Sequence, residues 1–312
     1  MISTILRATI PVFLAVVPAA ARPAETPEAL SHRLCDAVQT LPETRKAQCC
    51  RTSASPALAA ECARELGRAL RDHAVALGAA EVDRCAADSR RQVTGCDWVT
   101  PYLPAIPASC RDVVRGRLDA GAHCRSSLEC RDGLFCRGGG PSAAGVCASP
   151  GGPGAACGGA LDTLATYTRQ TDVDARHPEC DGFCLKGRCI GSVALGGECS
   201  SDRQCAPGAH CTSRRCVDGP RPKLGEACDG TSCDGALVCV DGRCAQPKKA
   251  GEPCTRSAQC EAACVAATAD APGRCGMQCS AWPPAGYTPP VPGPSPVGST
   301  ARAQDVDRRP HD

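Results

Sequence analysis

Cysteine spacing constrains this chain more than any other feature. A Gly-x-x-Cys opening recurs five times, at Gly121 to Cys124, Gly154 to Cys157, Gly196 to Cys199, Gly225 to Cys228 and Gly251 to Cys254. Each opening cysteine is followed by three more, giving copies at residues 121–147, 154–189, 196–216, 225–244 and 251–275. A repeat of this kind marks an array of small units stacked in series. Each copy is too short to fold by apolar burial alone, so cross-links must hold it. The chain has 28 cysteines in 312 residues but only 3% aromatics, which favours stapled units over one large core. Cysteine this dense persists as disulfide only in an oxidising compartment.

The cleanest copies show how a unit forms. In the fourth, Asp241-Gly242 is a preferred two-residue hairpin turn between Val238-Cys239-Val240 and Arg243-Cys244. Lys186-Gly187 does the same in the second. The hairpin places Cys239 and Cys244 on one face, from which both can reach back to Cys228 and Cys233. Bonding directly across the strands is also geometrically open, and four cysteines allow three connectivities. A disulfide closing a loop of a dozen or so residues contributes roughly 3 kcal/mol, so two hold a unit with almost no core. The second copy carries a long insertion, residues 158–179, the most distinctive loop that such a frame would present.

Residues 22–117 read as a different, helical unit. Thr26 is an N-cap with Pro27 at the first helical position, and Leu30, Leu34 and Val38 recur every four residues. Thr40 with Glu43 fits a capping box that starts a second helix. Ser55-Pro56 starts a third, with Leu58, Cys62, Leu66, Leu70 and Leu77 on one face, and residues 81–92 form a fourth. Cys35, Cys49, Cys50, Cys62, Cys85, Cys96 and Cys110 precede the first repeat, and Cys279 follows the last. Adjacent Cys49 and Cys50 should take different partners. An odd seven requires one to pair outside the helical unit, and Cys110 is the expected one. The fold class is therefore small disulfide-rich modules, short β-hairpins and loops, following an α-helical, disulfide-linked N-terminal domain.

Both ends read as outside the folded units. Residues 1–21, with Arg7, an apolar stretch Ala8 to Val17 and Ala19-Ala20-Ala21, have the form of a signal peptide. Residues 280–312 are Pro-rich, polar and cysteine-free, the composition of a solvated tail. The protein is thus expected to be secreted, extracellular or periplasmic if retained, and not membrane-spanning. Net charge is +2 without a basic stripe, which argues against nucleic-acid binding. Arginine dominates lysine and asparagine is absent, the mark of a GC-rich bacterial gene.

Catalytic and metal chemistry is not indicated. There is no Cys-x-x-Cys for zinc or thiol redox work, no nucleophile elbow, no His-Glu-x-x-His and no P-loop. His32, His73, His123, His177 and His210 are scattered and read as surface or turn residues. Gly138-Gly139-Gly140 and Gly151-Gly152-Pro153-Gly154 lack a following helix and read as flexible loops. No catalytic residue, cofactor or metal ligand is assigned.

Cys199-Ser200-Ser201-Asp202-Arg203-Gln204-Cys205-Ala206-Pro207-Gly208, with Cys211 and Cys216, resembles the Dickkopf N-terminal cysteine-rich module, and Cys124 to Cys136 is a second match. The likeness covers that module's first four cysteines; the cysteine pair that follows them and the colipase-like second domain are missing. Whole-chain organisation is similar to secreted cysteine-rich proteins of myxobacterial type, which couple a helical region with a Cys-Cys pair to Gly-x-x-Cys repeats. The Dickkopf and colipase-like resemblance implies interleaved pairing within each repeat: Cys124–Cys136 and Cys130–Cys147, Cys157–Cys184 and Cys180–Cys189, Cys199–Cys211 and Cys205–Cys216, Cys228–Cys239 and Cys233–Cys244, Cys254–Cys264 and Cys260–Cys275. It supplies no catalytic or ligand-binding residue. The function expected is non-catalytic binding of an extracellular or cell-surface protein or glycan through loops on the stapled modules. The alternatives are a secreted protease inhibitor, with Arg169 or Arg214-Arg215 facing a trypsin-like enzyme, and a structural spacer of the cell envelope.

Overall fold

A computed structural model of the chain describes residues 25–140, 142–158, 161–171, 173–228, 233–266 and 273–279; the expected signal peptide and Pro-rich tail lie outside them. Helix α1 is Pro27–Cys35, capped by Thr26, whose Oγ1 accepts from Ala29 N at 3.2 Å. The chain then continues through a π turn, Asp36–Thr40, straight into α2, Leu41–Cys50. The expected capping box does not form, because Thr40 is itself helical and its hydroxyl donates to Asp36 Oδ1 (2.9 Å). Helix α3 is Ala57–Arg71 and α4 is Ala79–Gln92. On α3, Cys62 and Leu66 are fully buried, but Leu58 faces solvent and Leu77 lies beyond the helix, past the short strand β1, Val75–Ala76. Strand β2, Arg115–Gly116, pairs with β1.

Three disulfides lie within this unit: Cys35–Cys62 joins α1 to α3, Cys49–Cys96 joins α2 to the loop after α4, and Cys85–Cys110 joins α4 to a 3₁₀ turn, Ala108–Cys110. Cys110 therefore pairs inside the unit, where its turn packs directly on α4 with the two Cα atoms 4.6 Å apart. The cysteine that leaves is Cys50, which bonds Cys279 across 229 residues of sequence. Successive residues on a helix point about 100° apart, so neighbours Cys49 and Cys50 face different elements.

Five modules follow, built from β3 (His123–Cys124), β4 (Phe135–Arg137) and β5 (Gly145–Ala148) in the first; β6 (Phe183–Leu185) and β7 (Arg188–Ile190) in the second; β8 (Ala209–Thr212) and β9 (Arg215–Asp218) in the third; β10 (Val238–Val240) and β11 (Arg243–Ala245) in the fourth; and β12 (Pro253–Cys254), β13 (Ala263–Val265) and β14 (Gly273–Gly276) in the fifth. Among the described residues every sheet is antiparallel and has two or three strands. The glycine that opens each copy has positive φ in all five (87°, 88°, 79°, 84° and 88° in order), the left-handed region that disfavours a side chain. Its N–H donates to the fourth cysteine's carbonyl at 2.7–2.8 Å in every copy.

The hairpin turns differ in cost. Asp241-Gly242 and Lys186-Gly187 each put glycine at the second left-handed position, whereas the third copy uses Ser213 (φ 49°) and Arg214 (φ 61°). A non-glycine residue there costs about 1–2 kcal/mol. Arg214→Gly should therefore stabilise β8–β9 by about 1 kcal/mol, read as a roughly fivefold slower native-state exchange of their amides.

The hydrophobic core does not close at residue 117. Leu34, Val38, Leu66, Val75, Val82 and Val114 are joined in it by Leu128 of the first module and by Leu164 and Ala165 of the second. The third and fifth modules instead centre on half-cystines, Cys199, Cys205 and Cys216 in one and Cys254, Cys260 and Cys275 in the other.

Candidate functional site

The cysteines of each hairpin stand directly opposite each other, as Cys211↔Cys216 and Cys239↔Cys244 do, yet each bonds upstream. The first is joined to the third and the second to the fourth: Cys124–Cys136 and Cys130–Cys147, Cys157–Cys184 and Cys180–Cys189, Cys199–Cys211 and Cys205–Cys216, Cys228–Cys239 and Cys233–Cys244, Cys254–Cys264 and Cys260–Cys275. The close groups of sulfur atoms at each module centre are these disulfides, so they offer no thiolate to a metal.

Two recurring polar positions also serve the frame. The arginine before the fourth cysteine donates through Nη1 to the opening glycine's carbonyl: Arg188 to Gly154 (3.1 Å), Arg215 to Gly196 (2.7 Å), Arg243 to Gly225 (2.9 Å) and Arg274 to Gly251 (2.7 Å). The Glu or Gln before the second cysteine accepts from the amide after the first: Glu129 from Arg125 (2.8 Å), Glu179 from Gly158 (2.8 Å), Gln204 from Ser200 (2.6 Å) and Gln259 from Thr255 (2.9 Å). Cysteine spacing alone missed both sets, although the recurrence of Arg-Cys and Glu/Gln-Cys in register carries the signal. Gly151, read as part of a flexible loop, is likewise a strand-like bridge, donating to Glu179 O (2.9 Å) and accepting from Asp181 N (3.0 Å).

The insertion of the second copy is not a freely presented loop. Asp162 caps helix α5, Thr163–Tyr167, accepting from Ala165 N (3.0 Å), and its other oxygen takes Ser127 N (2.7 Å) from the first module. Leu164 and Ala165 are then buried against the helical unit, because α5 has an apolar side and a core to meet. Arg169 Nη1 donates to Val38 O (2.9 Å) and its Nη2 to Pro104 O. Gln39 Nε2 donates to Tyr167 O (2.5 Å) and Gln170 Nε2 to Cys110 O (3.3 Å). Burial lowers the Arg169 pKa against the opposing charge of Glu43, and burial raises that of Glu43 itself. Arg169 is thus a clamp between units rather than a residue offered to a protease. Arg214 sits in left-handed backbone at a tight turn, and Arg215 is tied to Gly196.

His177 and His210, read as surface or turn residues, are both buried, with Nδ1–H donating to Leu134 O (2.8 Å) and Gly219 O (3.1 Å) respectively. Burial lowers the His177 pKa below its usual 6.5, with the Leu134 hydrogen bond and Asp132 and Asp162 opposing and Arg176 assisting. A histidine depressed in the folded state contributes stability above its unfolded pKa and loses it on acidification. Thermal midpoints should therefore fall as pH drops below about 6.5, and His177→Gln should flatten that slope.

One cleft, of about 600 Å³, lies between the second and third modules. It is lined by Gly158, Asp174, Pro178, Glu179, Phe183 and Arg203 among others, and an Asp174–Arg203 ion pair crosses it. Among the described residues no helix is long and apolar enough to cross a membrane. No family model, curated protein or solved structure matches the chain.

Proposed function

We propose that the chain is a secreted, non-catalytic binding protein whose disulfide modules hold apolar side chains in fixed positions for an extracellular or cell-surface protein. The supporting observation lies at the residue before each opening glycine, which is Ala120, Pro153, Leu195, Leu224 or Ala250 on an otherwise repeated frame. Leu195 and Leu224 are 57% and 61% exposed. Their turns are fixed on both sides, by Gly197 N→Ala194 O (3.0 Å) and Glu226 N→Lys223 O (3.0 Å), and by the glycine's bond to the fourth cysteine. Rigid presentation of exposed apolar groups lowers the entropy lost on binding.

The resemblance to the Dickkopf module supports the same reading, as a disulfide frame rather than as a shared pathway. To test it, the oxidised full chain and a Leu195→Ser/Leu224→Ser variant are each immobilised and exposed to envelope and extracellular material. Capture should fall at least fivefold in the variant. Equal capture by both would remove the leucines from the interface, and inhibition of a trypsin-like enzyme by the intact chain would favour the protease-inhibitor alternative.

A further inference from the structure

The second module differs from the first, third and fifth at one backbone amide. In the first, third and fifth copies the third cysteine's N–H is met by the residue three places after the first cysteine: Cys136 N donates to Ser127 Oγ (3.1 Å), Cys211 N to Asp202 Oδ1 (2.8 Å) and Cys264 N to Ser257 Oγ (3.1 Å). These acceptors sit on 3₁₀ turns, Ser127–Glu129, Asp202–Gln204 and Ser257–Gln259. In the second copy the insertion takes that turn's place, and its first helix leaves for the helical core.

Around the two-residue turn, Leu185 with Arg188 and Phe183 with Ile190 are the hydrogen-bonded pairs, so the N–H and C=O of Cys184 face outward. Among the described residues, no side chain takes the place of Ser127, Asp202 or Ser257. Cys184 is exposed, whereas Cys136, Cys211 and Cys264 are half-buried. The open strand edge faces the cleft, whose lining includes Gly182, Phe183 and Cys184.

We propose that this cleft is a strand-addition site, in which an extended peptide segment of a partner protein lies along β6 and accepts from Cys184 N–H. The proposal rests on the binding reading and specifies the partner's chemistry. An unpaired strand edge is complemented by another strand, and the cleft has the size of a ligand site. Half-buried Phe183 supplies an apolar wall. Asp174 and Glu179 against Arg203 leave one net negative charge on the lining. The segment therefore carries an apolar residue for Phe183 and a Lys or Arg for the carboxylates. Residues 280–312 are a poor occupant on sequence alone, since Pro283, Pro284, Pro289, Pro290, Pro292 and Pro294 lack N–H donors.

The probe is a random heptapeptide display library selected against the oxidised full chain, followed by titration of a selected peptide, synthesised, into chain labelled with ¹⁵N-cysteine. Selected sequences should pair apolar with basic residues, and binding should shift the Cys184 amide resonance and slow its exchange at least tenfold. Ala175→Trp, a substitution at an exposed position lining the cleft, should weaken binding at least tenfold, and Val265→Ser, at an exposed apolar position of the fifth module, should leave it unchanged. N-methylation along the peptide should weaken binding at alternate positions only. No selection above background, an unmoved Cys184 amide, or indifference to Ala175→Trp would overturn the strand site. If leucine-dependent capture by the full chain persists in any of those cases, the binding reading stands without it; if that capture is also absent, both fail.

Discussion

Leu164→Ala is expected to lower the unfolding free energy by about 2–5 kcal/mol, the cost of emptying a fully packed leucine site. Leu164 lies within the second module's insertion in sequence, but it is 1% exposed and packs into the core shared with Leu34, Leu66 and Val82. The loss should appear in the cooperative unfolding of the helical unit, followed by far-ultraviolet circular dichroism in denaturant. Leu161→Ala, three residues earlier and largely exposed, should shift the same transition by less than about 0.5 kcal/mol. Equal, small shifts for both would mean that the insertion does not dock.

Arg68→Ala should cost about 3–5 kcal/mol, because it strands a carboxylate in the interior. Glu129 of the first module is 2% exposed and takes Arg68 Nη2 of α3 at 2.8 Å on one oxygen and Arg125 N on the other. Burial works to lower the Arg68 pKa, and the hydrogen bond and charge of Glu129 overcome it, leaving the group raised. Glu129→Gln in the Arg68→Ala background keeps an acceptor for Arg125 N while removing the buried charge, so it should recover at least half of the loss. A double variant no more stable than Arg68→Ala would show that lost packing, and not the stranded charge, dominates.

What was legible in the sequence was local. Thr26 caps α1 because an N-cap needs only its own next turn, and Asp241-Gly242 and Lys186-Gly187 form two-residue hairpin turns because the preference lies in their own φ angles. Thr40 with Glu43 carries an equally good local pattern but lies in a continuing helix, where tertiary packing of Val38 and Leu34 overrides it. The partner of Cys50 was not legible, since nothing near Cys50 or Cys279 encodes contact across 229 residues. Nor was the docking of α5: Leu164, Ala165 and Tyr167 in a polar insertion look like a loop until a core is present to receive Leu164. At the cleft, sequence marks the insertion, but only the comparison of Cys184 with Cys136, Cys211 and Cys264 exposes the uncapped edge.

The Cys50–Cys279 bond changes what the five modules do under tension. A pull between residue 25 and residue 279 enters at α1 and leaves through α2, crossing one sulfur–sulfur bond at its far end. The modules hang on a side loop that carries none of that load, in parallel with the bond rather than in series. A spacer that lengthens under force needs its units in the line of pull, so while this bond is intact the array has a fixed reach. Its reduction would place the intervening modules in the load path, where each would extend only between its own remaining staples.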